Sequence, residues 1–235
     1  NGEIFSMVSL PDFNPNYPNS ILPKTENNLN AEARYEMGST LKIFNAAMVY
    51  ESESEIQFNE FEISDGYQIT NEKHIVDDHI DEKILNFDDV FVKSSNIGSV
   101  KILESFGPNE QKKFFKKVGL TENLSIDGLN VVSNKLPNNW ESHSKFISYG
   151  YGLSLSPISL ITAFSSLVNG GYKIQPVLIK NGVSGKRIKV FSAETSNKIN
   201  KLIHKIVMDG TGKKAQVKGL LIGGKTGTSK KVEKG

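Results

Sequence analysis

The chain has 235 residues, enough for one large domain with a substantial core. Its 28 Lys and Arg against 26 Asp and Glu leave a net charge of +2, which argues against a polyphosphate partner, because nucleic-acid binders usually carry a basic face. There is no cysteine, which excludes disulfides, thiolate zinc sites and thiol catalysis, and no run of 18 apolar residues that would span a bilayer.

Taken in chain order, "EIFSMVSL" (3–10) has β-type residues, ends at Pro11 and predicts a strand. It reads as a strand entered midway, with no signal peptide before it, and the last residues, "TSKKVEKG", run out without a closing element. Both ends therefore suggest a piece of a longer protein. Residues 11–30 are rich in Pro and Asn and predict a loop. Gly38 and Ser39 open a helix through about Tyr50, with Ser39 near its N-cap. Residues 51–88 are polar and weakly periodic, with short strands or loops around "FEISDG" and "YQITNEKHIV". "FDDVFVKSSNIGSVKILESFG" holds two short helical patterns broken near "SSN". "NEQKKFFKKVG" is a further helix stopped by Gly119. Its "KKFFKK" cluster reads as a buried Phe stripe with solvated lysines opposite, not as an RNA or membrane patch.

Residues 121–145 predict a long loop. "SPISLITAFSSLVNGG" is a helix with Pro157 in its first turn and Gly170-Gly171 at its end. "YKIQPVLIK" and "KRIKVF" fit a hairpin around "NGVSG". "SAETSNKINKLIHKIVMDG" is a helix capped by Ser192 and stopped by Gly210. "LLIGGKTGTSKK" predicts a strand. Helices and strands alternate irregularly, so the fold class is α/β or α+β.

Three short motifs carry chemistry. Ser39 and Lys42 form S-x-x-K, and residues three apart on a helix share a face, so Lys42 can reach back to the Ser39 hydroxyl. Helix N-termini also present free N–H groups to a carbonyl. A second copy, Ser142 to Lys145, lies in a stretch with no evident helical run and reads as coincidence. Ser94-Ser95-Asn96 is the only S-x-N, and Lys225-Thr226-Gly227 the only K-T-G, with Thr228 after it. Alone, Ser39 would be a plain cap and Ser94 a turn residue. The order S-x-x-K, S-x-N, K-T-G is the set found in penicillin-binding proteins and serine β-lactamases.

The chain resembles the transpeptidase domain of a class B penicillin-binding protein, most closely the septal (FtsI) type. "MVSLPDFNPN" is similar to the family's entry into the domain, and "YEMGSTLK" to its Y-E-P-G-S-T-F-K box, with Met37 in place of Pro. "SSNIG" matches the second motif, "YGYGLSLSPISLITAFSSLVNGG" the long helix and its flanks, and "GTGKKAQVKGLLIGGKTGTSKK" the third motif and its approach. The likeness covers nearly all of residues 1–235, taken as one transpeptidase domain truncated at both ends.

The resemblance implies a penicillin-binding-protein and serine β-lactamase-like fold: a five-stranded antiparallel sheet flanked by helices, with a helical lobe, left incomplete here. It implies a peptidoglycan D,D-transpeptidase acting through a serine acyl-enzyme, in cell division, and a target of β-lactams. Ser39 would be the nucleophile. Lys42 would be its base, or a charged group that orients it. Ser94 would relay a proton, and Asn96 would bind the substrate amide. Backbone N–H groups of Ser39 and Thr228 would form the oxyanion hole. Lys225, Thr226, Gly227 and Thr228 would hold the terminal carboxylate of a stem peptide ending in D-Ala-D-Ala. No cofactor or metal is implied. Partners would be stem peptides, β-lactams, a SEDS-type glycan polymerase and divisome proteins, at the periplasmic face of the inner membrane, through an anchor this chain does not carry. A β-lactam sensor and a serine β-lactamase of the same fold are the alternatives.

Rival motifs lack the context they need. Gly219 to Thr226 matches G-x-x-x-x-G-K-T, but apolar Leu220, Leu221 and Ile222 fill the loop and no helix former follows. No G-x-S-x-G elbow is present. His74 and His79, around Asp77 and Asp78, read as a solvated loop, not a metal site. An incomplete sheet leaves unpaired backbone groups, so the bare 235-residue chain is expected to be poorly stable or inactive. A cooperative melt together with penicillin binding would contradict this.

Overall fold

Nine consecutive residues, Lys42 to Tyr50, are buried in this computed structural model, and the other elements are arranged around them. The structure describes residues 2–17, 19, 21–23, 27–179 and 186–228. In chain order, α1 (Leu29–Glu32) and β1 (Tyr35–Glu36) lead into a 3-10 turn at Gly38–Leu41 and then α2 (Lys42–Glu51). Next come β2 (Glu60–Glu62), β3 (Tyr67–Thr70), β4 (Lys73–Ile75) and β5 (Ile84–Asn86). Helices α3 (Phe87–Val92), α4 (Asn96–Phe106), α5 (Pro108–Lys117) and α6 (Trp140–Tyr149) follow. Then come β6 (Ser154–Leu155), α7 (Pro157–Val168), β7 (Tyr172–Ile174), β8 (Arg187–Lys189) and α8 (Ala193–Asp209).

Apolar residues occupy most faces of α2, so the helix must be surrounded. The α2 helix is enclosed by α3 through α8. Phe44 meets Phe115 of α5 and Phe164 of α7 edge-on, with ring centroids 6.1 and 6.3 Å apart. Burying such a ring contributes roughly 1.5–3 kcal/mol. The helices start where short polar side chains can accept from free N–H groups: Asn86 for α3, Ser95 for α4, Ser156 for α7 and Ser192 for α8. Pro157 occupies the first turn of α7, where no N–H partner is lost.

The core also contains amides, and these are satisfied. Asn45 Nδ2 donates to Ser148 O at 2.9 Å, and Gln111 Nε2 donates to Asn45 Oδ1 at 3.2 Å. Trp140 Nε1 donates to Gln111 Oε1 at 3.1 Å. This chain ties α2 to α5 and α6 and fixes the rotation of the central helix.

The α/β class holds, but the single five-stranded sheet does not form among the described residues. Four two-stranded antiparallel ladders stand in its place: β1 with β6, β2 with β5, β3 with β4, and β7 with β8. Residues 3–10 are not a strand. They make one isolated bridge, from Glu3 to Val177, and Phe5 and Leu10 are exposed. Residues 220–228 form no ladder either: Gly224 N donates to Ile203 O of α8, and Leu220 and Leu221 face outward. In both cases β-type residues lack a neighbouring strand to bond with. Residues 229–231, the end of the predicted strand, lie outside the described residues. The β7–β8 hairpin has the expected partners, Tyr172 with Lys189 and Ile174 with Arg187, and its tip at 181–185 also lies outside them.

The predicted loop at 121–145 ends early. Asn139 caps α6, which begins at Trp140. Trp140, Ser144, Ile147 and Ser148 are buried at helical spacing, but two of the four are serines, so the apolar periodicity is faint in sequence. Ser39 is not an N-cap. The chain enters α2 through the 3-10 turn, and neither Met37 nor Leu41 makes a side-chain cap bond.

Replacing Gln111 with Leu should leave Trp140 Nε1–H and Asn45 Oδ1 unpaired in the core, at a cost of about 2 kcal/mol. The check is a urea melt of Gln111→Leu against the parent protein. An unchanged midpoint would show that the amide chain does not hold the helices together.

Candidate active site

The site forms where the N-terminus of α2 meets the α3–α4 turn and the segment after α8. Its first wall is the Gly38–Leu41 turn. Gly38 has φ +57, and a Cβ there would lie 2.3 Å from Thr228 O. On the other side, a Cβ on Gly150 (φ +114) would lie 2.0 Å from Gly38 O. The turn is therefore pressed between two backbones, which only glycine allows. Gly38 N donates to Gly150 O at 3.1 Å. The Ser39 carbonyl accepts from Lys42 N–H, so the serine and lysine share one turn.

The Lys42 side chain is fully buried. Its Nζ lies 2.5 Å from Ser94 O, 2.8 Å from Asn96 Oδ1 and 3.3 Å from Ser94 Oγ. Two of these contacts exist because Ser94 has φ +64, a left-handed conformation that few residues other than glycine adopt. This turn of the backbone lets both the carbonyl and the hydroxyl of Ser94 contact one ammonium. Lys225 Nζ donates to Ser94 Oγ at 2.8 Å and to Thr226 O at 3.1 Å. The Thr226 hydroxyl lies 2.8 Å from that of Thr211, just after α8.

The electrostatics follow from this packing. Burial first, and then the Lys225 charge, hold the Lys42 ammonium well below the usual lysine range, and the Asp77 charge partly opposes them. Burial lowers Lys225 to about 8. Beside Asn96 a cavity of about 480 Å³ opens, with Phe146, Tyr149 and Tyr151 on one side and the β4 segment on the other.

Four of the sequence-predicted residues, Lys42, Ser94, Asn96 and Lys225, are in direct contact. Ser39 sits in the turn immediately before Lys42, and its hydroxyl is not among the bonds Lys42 makes. Thr226 adjoins Lys225, while Gly227 and Thr228 lie against the 37–40 turn. The second S-x-x-K does lie on a helix, contrary to expectation. Even so, Ser142 Oγ donates to Asn139 O, and Lys145 turns to Glu104 and Tyr67, so the pair does not meet.

Asp77 corrects the sequence reading of its stretch as a solvated loop. It is buried and turned onto α4, where it accepts from Ser95 Oγ, from Asn96 N at 2.9 Å and from Ile97 N at 3.1 Å. An acidic residue 18 positions before the serine it touches gives no sequence signal of this role.

The family model described as the penicillin binding protein transpeptidase domain matches residues 1–235. The chain is 32% identical over 239 residues to the probable peptidoglycan D,D-transpeptidase FtsI of Caulobacter vibrioides, covering 99% of this chain and 40% of that protein. It is 31% identical over 253 residues to the stage V sporulation protein D of Bacillus subtilis, covering 100% of this chain and 39% of that protein. The chain thus spans about two fifths of the length of these curated relatives. The apo TP domain of Burkholderia pseudomallei penicillin-binding protein 3 superposes with a TM-score of 0.78 at 26% identity, covering 89% of this chain and 65% of that one.

The two lowered lysines have a consequence for stability. From about pH 8 toward 10 the unfolded chain holds more protons on Lys42 and Lys225 than the folded one, so the unfolding free energy should rise with pH. Tyr149, raised to about 12 mainly by burial, opposes the trend only above the usual tyrosine range near 10. Urea midpoints near pH 7.5 and 9.5 should show the rise, and Lys225→Met should diminish it. A fall over this interval would contradict the electrostatics.

Proposed function

This chain belongs to the penicillin-binding protein transpeptidase family, and we propose that residues 1–235 act as a serine D,D-transpeptidase domain that cross-links peptidoglycan stem peptides. The observation that carries the reading is the convergence on Ser94 of two lysines from distant segments, next to the turn that bears Ser39.

The proton inventory favours Lys42 as a neutral base. A neutral amine has two hydrogens and one lone pair. The hydrogens suit Ser94 O and Asn96 Oδ1, and the lone pair remains for a hydroxyl proton. The Ser94 hydroxyl accepts from Lys225 and keeps its own hydrogen at this stage, so the Lys42 lone pair stays free for the Ser39 proton. Ser39 then loses its proton to Lys42 as its oxygen attacks the penultimate carbonyl of a stem ending in D-Ala-D-Ala. The N–H groups of Ser39 and Thr228 receive the developing oxyanion. Collapse of the tetrahedral adduct breaks the amide bond, and the leaving amine takes its proton through Ser94. Asn96 holds the substrate amide, and Lys225 with Thr226 and Thr228 holds the terminal carboxylate. An amine from a neighbouring stem then displaces Ser39. The ester keeps much of the free energy of the cleaved amide, so the second step needs no nucleotide.

The septal role is supported by the likeness to FtsI proteins. Action at the periplasmic face of the inner membrane, with a SEDS-type polymerase and divisome proteins as partners, follows from the same likeness. Among the described residues no helix is long and apolar enough to cross a membrane.

The test is intact mass of the full-length protein after exposure to penicillin. A long-lived adduct is expected, and Ser39→Ala should abolish it. Lys42→Met should slow acylation by about a hundredfold or more. The acylation rate should fall as pH drops through the lowered pKa of Lys42. A flat profile from about pH 6 to 9 would assign Lys42 an orienting role instead. Rapid loss of the adduct would indicate a β-lactamase, and an adduct on Ser39→Ala would end the assignment. Aminolysis of a D-Ala-D-Ala thioester by an added D-amino acid separates a transpeptidase from a sensor.

A further inference from the structure

Among the described residues Asp77 is the only buried carboxylate, and none of the steps above uses it. We propose that Asp77 is a positioning residue of the acylation centre: by accepting from Ser95 Oγ, Asn96 N and Ile97 N it fixes the Ser94–Asn96 turn against Lys42, and its charge balances the two lysines across that turn. This role rests on the transpeptidase reading.

The geometry shows why a clamp is needed. Ser94 is held at φ +64, a conformation its own side chain disfavours by roughly 1–3 kcal/mol. Relaxing it would take the carbonyl and the hydroxyl off Lys42 Nζ together. Two restraints oppose that relaxation. Before the turn, Ser95 N donates to Val90 O at 2.8 Å. After it, the two Asp77 oxygens take the first N–H groups of α4 and the hydroxyl of its cap. The cap is thus bonded on both sides: Ser95 Oγ accepts from Gly98 N at 2.8 Å and donates to Asp77. The negative charge also suits a helix N-terminus, whose free N–H groups carry partial positive charge.

The segment that delivers Asp77 has a second contact with the site. Ile75 and Val76, just before it, line the cavity that opens beside Asn96. One short stretch therefore forms a wall of the cleft and braces the S-x-N turn.

Other ionic groups on the surrounding elements have partners of their own, in ion pairs or on backbone carbonyls. Lys93, at the end of α3, pairs with Glu82. On α4, Lys101 donates to Glu62 O, and on α6, Lys145 pairs with Glu104. On α8, Lys205 pairs with Asp88 and Asp89. His79 Nε2 lies against Lys93 O. The charges that bear on Lys42 are Lys225, which disfavours its ammonium, and Asp77, which favours it.

The experiment follows penicillin acylation of the full-length protein across pH for the parent, Asp77→Asn and Asp77→Glu. Removing the charge takes away what stabilises the Lys42 ammonium. The acid-limb midpoint of Asp77→Asn should therefore move down by about half a pH unit or more. Its plateau rate should drop by about tenfold as the turn loosens. Asp77→Glu keeps the charge but not the fit, so its midpoint should stay at the parent value while its plateau falls. A parental profile for Asp77→Asn overturns the proposal. So does a uniform loss of rate with an unmoved midpoint that tracks a lowered melting temperature, which is what a merely structural carboxylate would give. If Asp77→Asn does not fold, Asp77→Glu decides: a parental plateau there also overturns it. Absence of any adduct on the parent would sink the transpeptidase reading itself.

Discussion

A lysine with no exposed surface and no carboxylate in contact with it is the constraint around which this structure is organised. Taking an ammonium out of water costs several kcal/mol unless polar groups replace the water or the proton leaves. Here both routes are used. Oxygens of Ser94 and Asn96 surround the nitrogen, and burial with Lys225 nearby favours the neutral amine. Lys42 also begins α2, where the free N–H groups disfavour a further positive charge. In the proposed function, a lysine shifted toward its neutral form is what serine activation requires.

The rest of the fold holds that lysine in place. The α2 helix is enclosed by six others, so its axis and rotation are set by packing rather than by propensity. Asn45, one turn after Lys42, is locked through Gln111 and Trp140 to two of those helices. The turn before it is wedged between Gly150 and Thr228, so the first and third motifs touch through backbone, with no room for side chains. The α8 helix anchors the approach to Lys225 through Ile203 O and through His204 Nδ1, which lies 2.9 Å from Ile222 O. Three segments separated by tens of residues thus converge on one hydroxyl, that of Ser94.

Backbone strain is present at the second motif. Ser94 is one of two non-glycine residues with positive φ among the described residues, and its conformation brings two oxygens onto one nitrogen. Such a conformation persists only when neighbours over-determine it. The bond from Ser95 N to Val90 O and the Asp77 clamp supply that determination from both sides.

Local chemistry made much of the architecture legible from residues alone. Pro157, Ser192, Gly210 and Gly119 mark helix ends because their preferences act within one turn. The motif residues Ser39, Lys42, Ser94, Asn96 and Lys225 are visible as types in order, because the proposed acyl transfer needs a hydroxyl, a base and a charge for a carboxylate. The tertiary structure alone decided the rest. It made a helix of Trp140–Tyr149, whose buried serines hide its inward face, and left residues 3–10 and 220–228 without ladders, since a strand exists only beside another strand. It also turned Asp77 inward onto α4 and brought Lys225 to Ser94, 131 positions away. Such contacts depend on which surfaces meet after packing, and nothing in the sequence near either partner encodes where the other will lie.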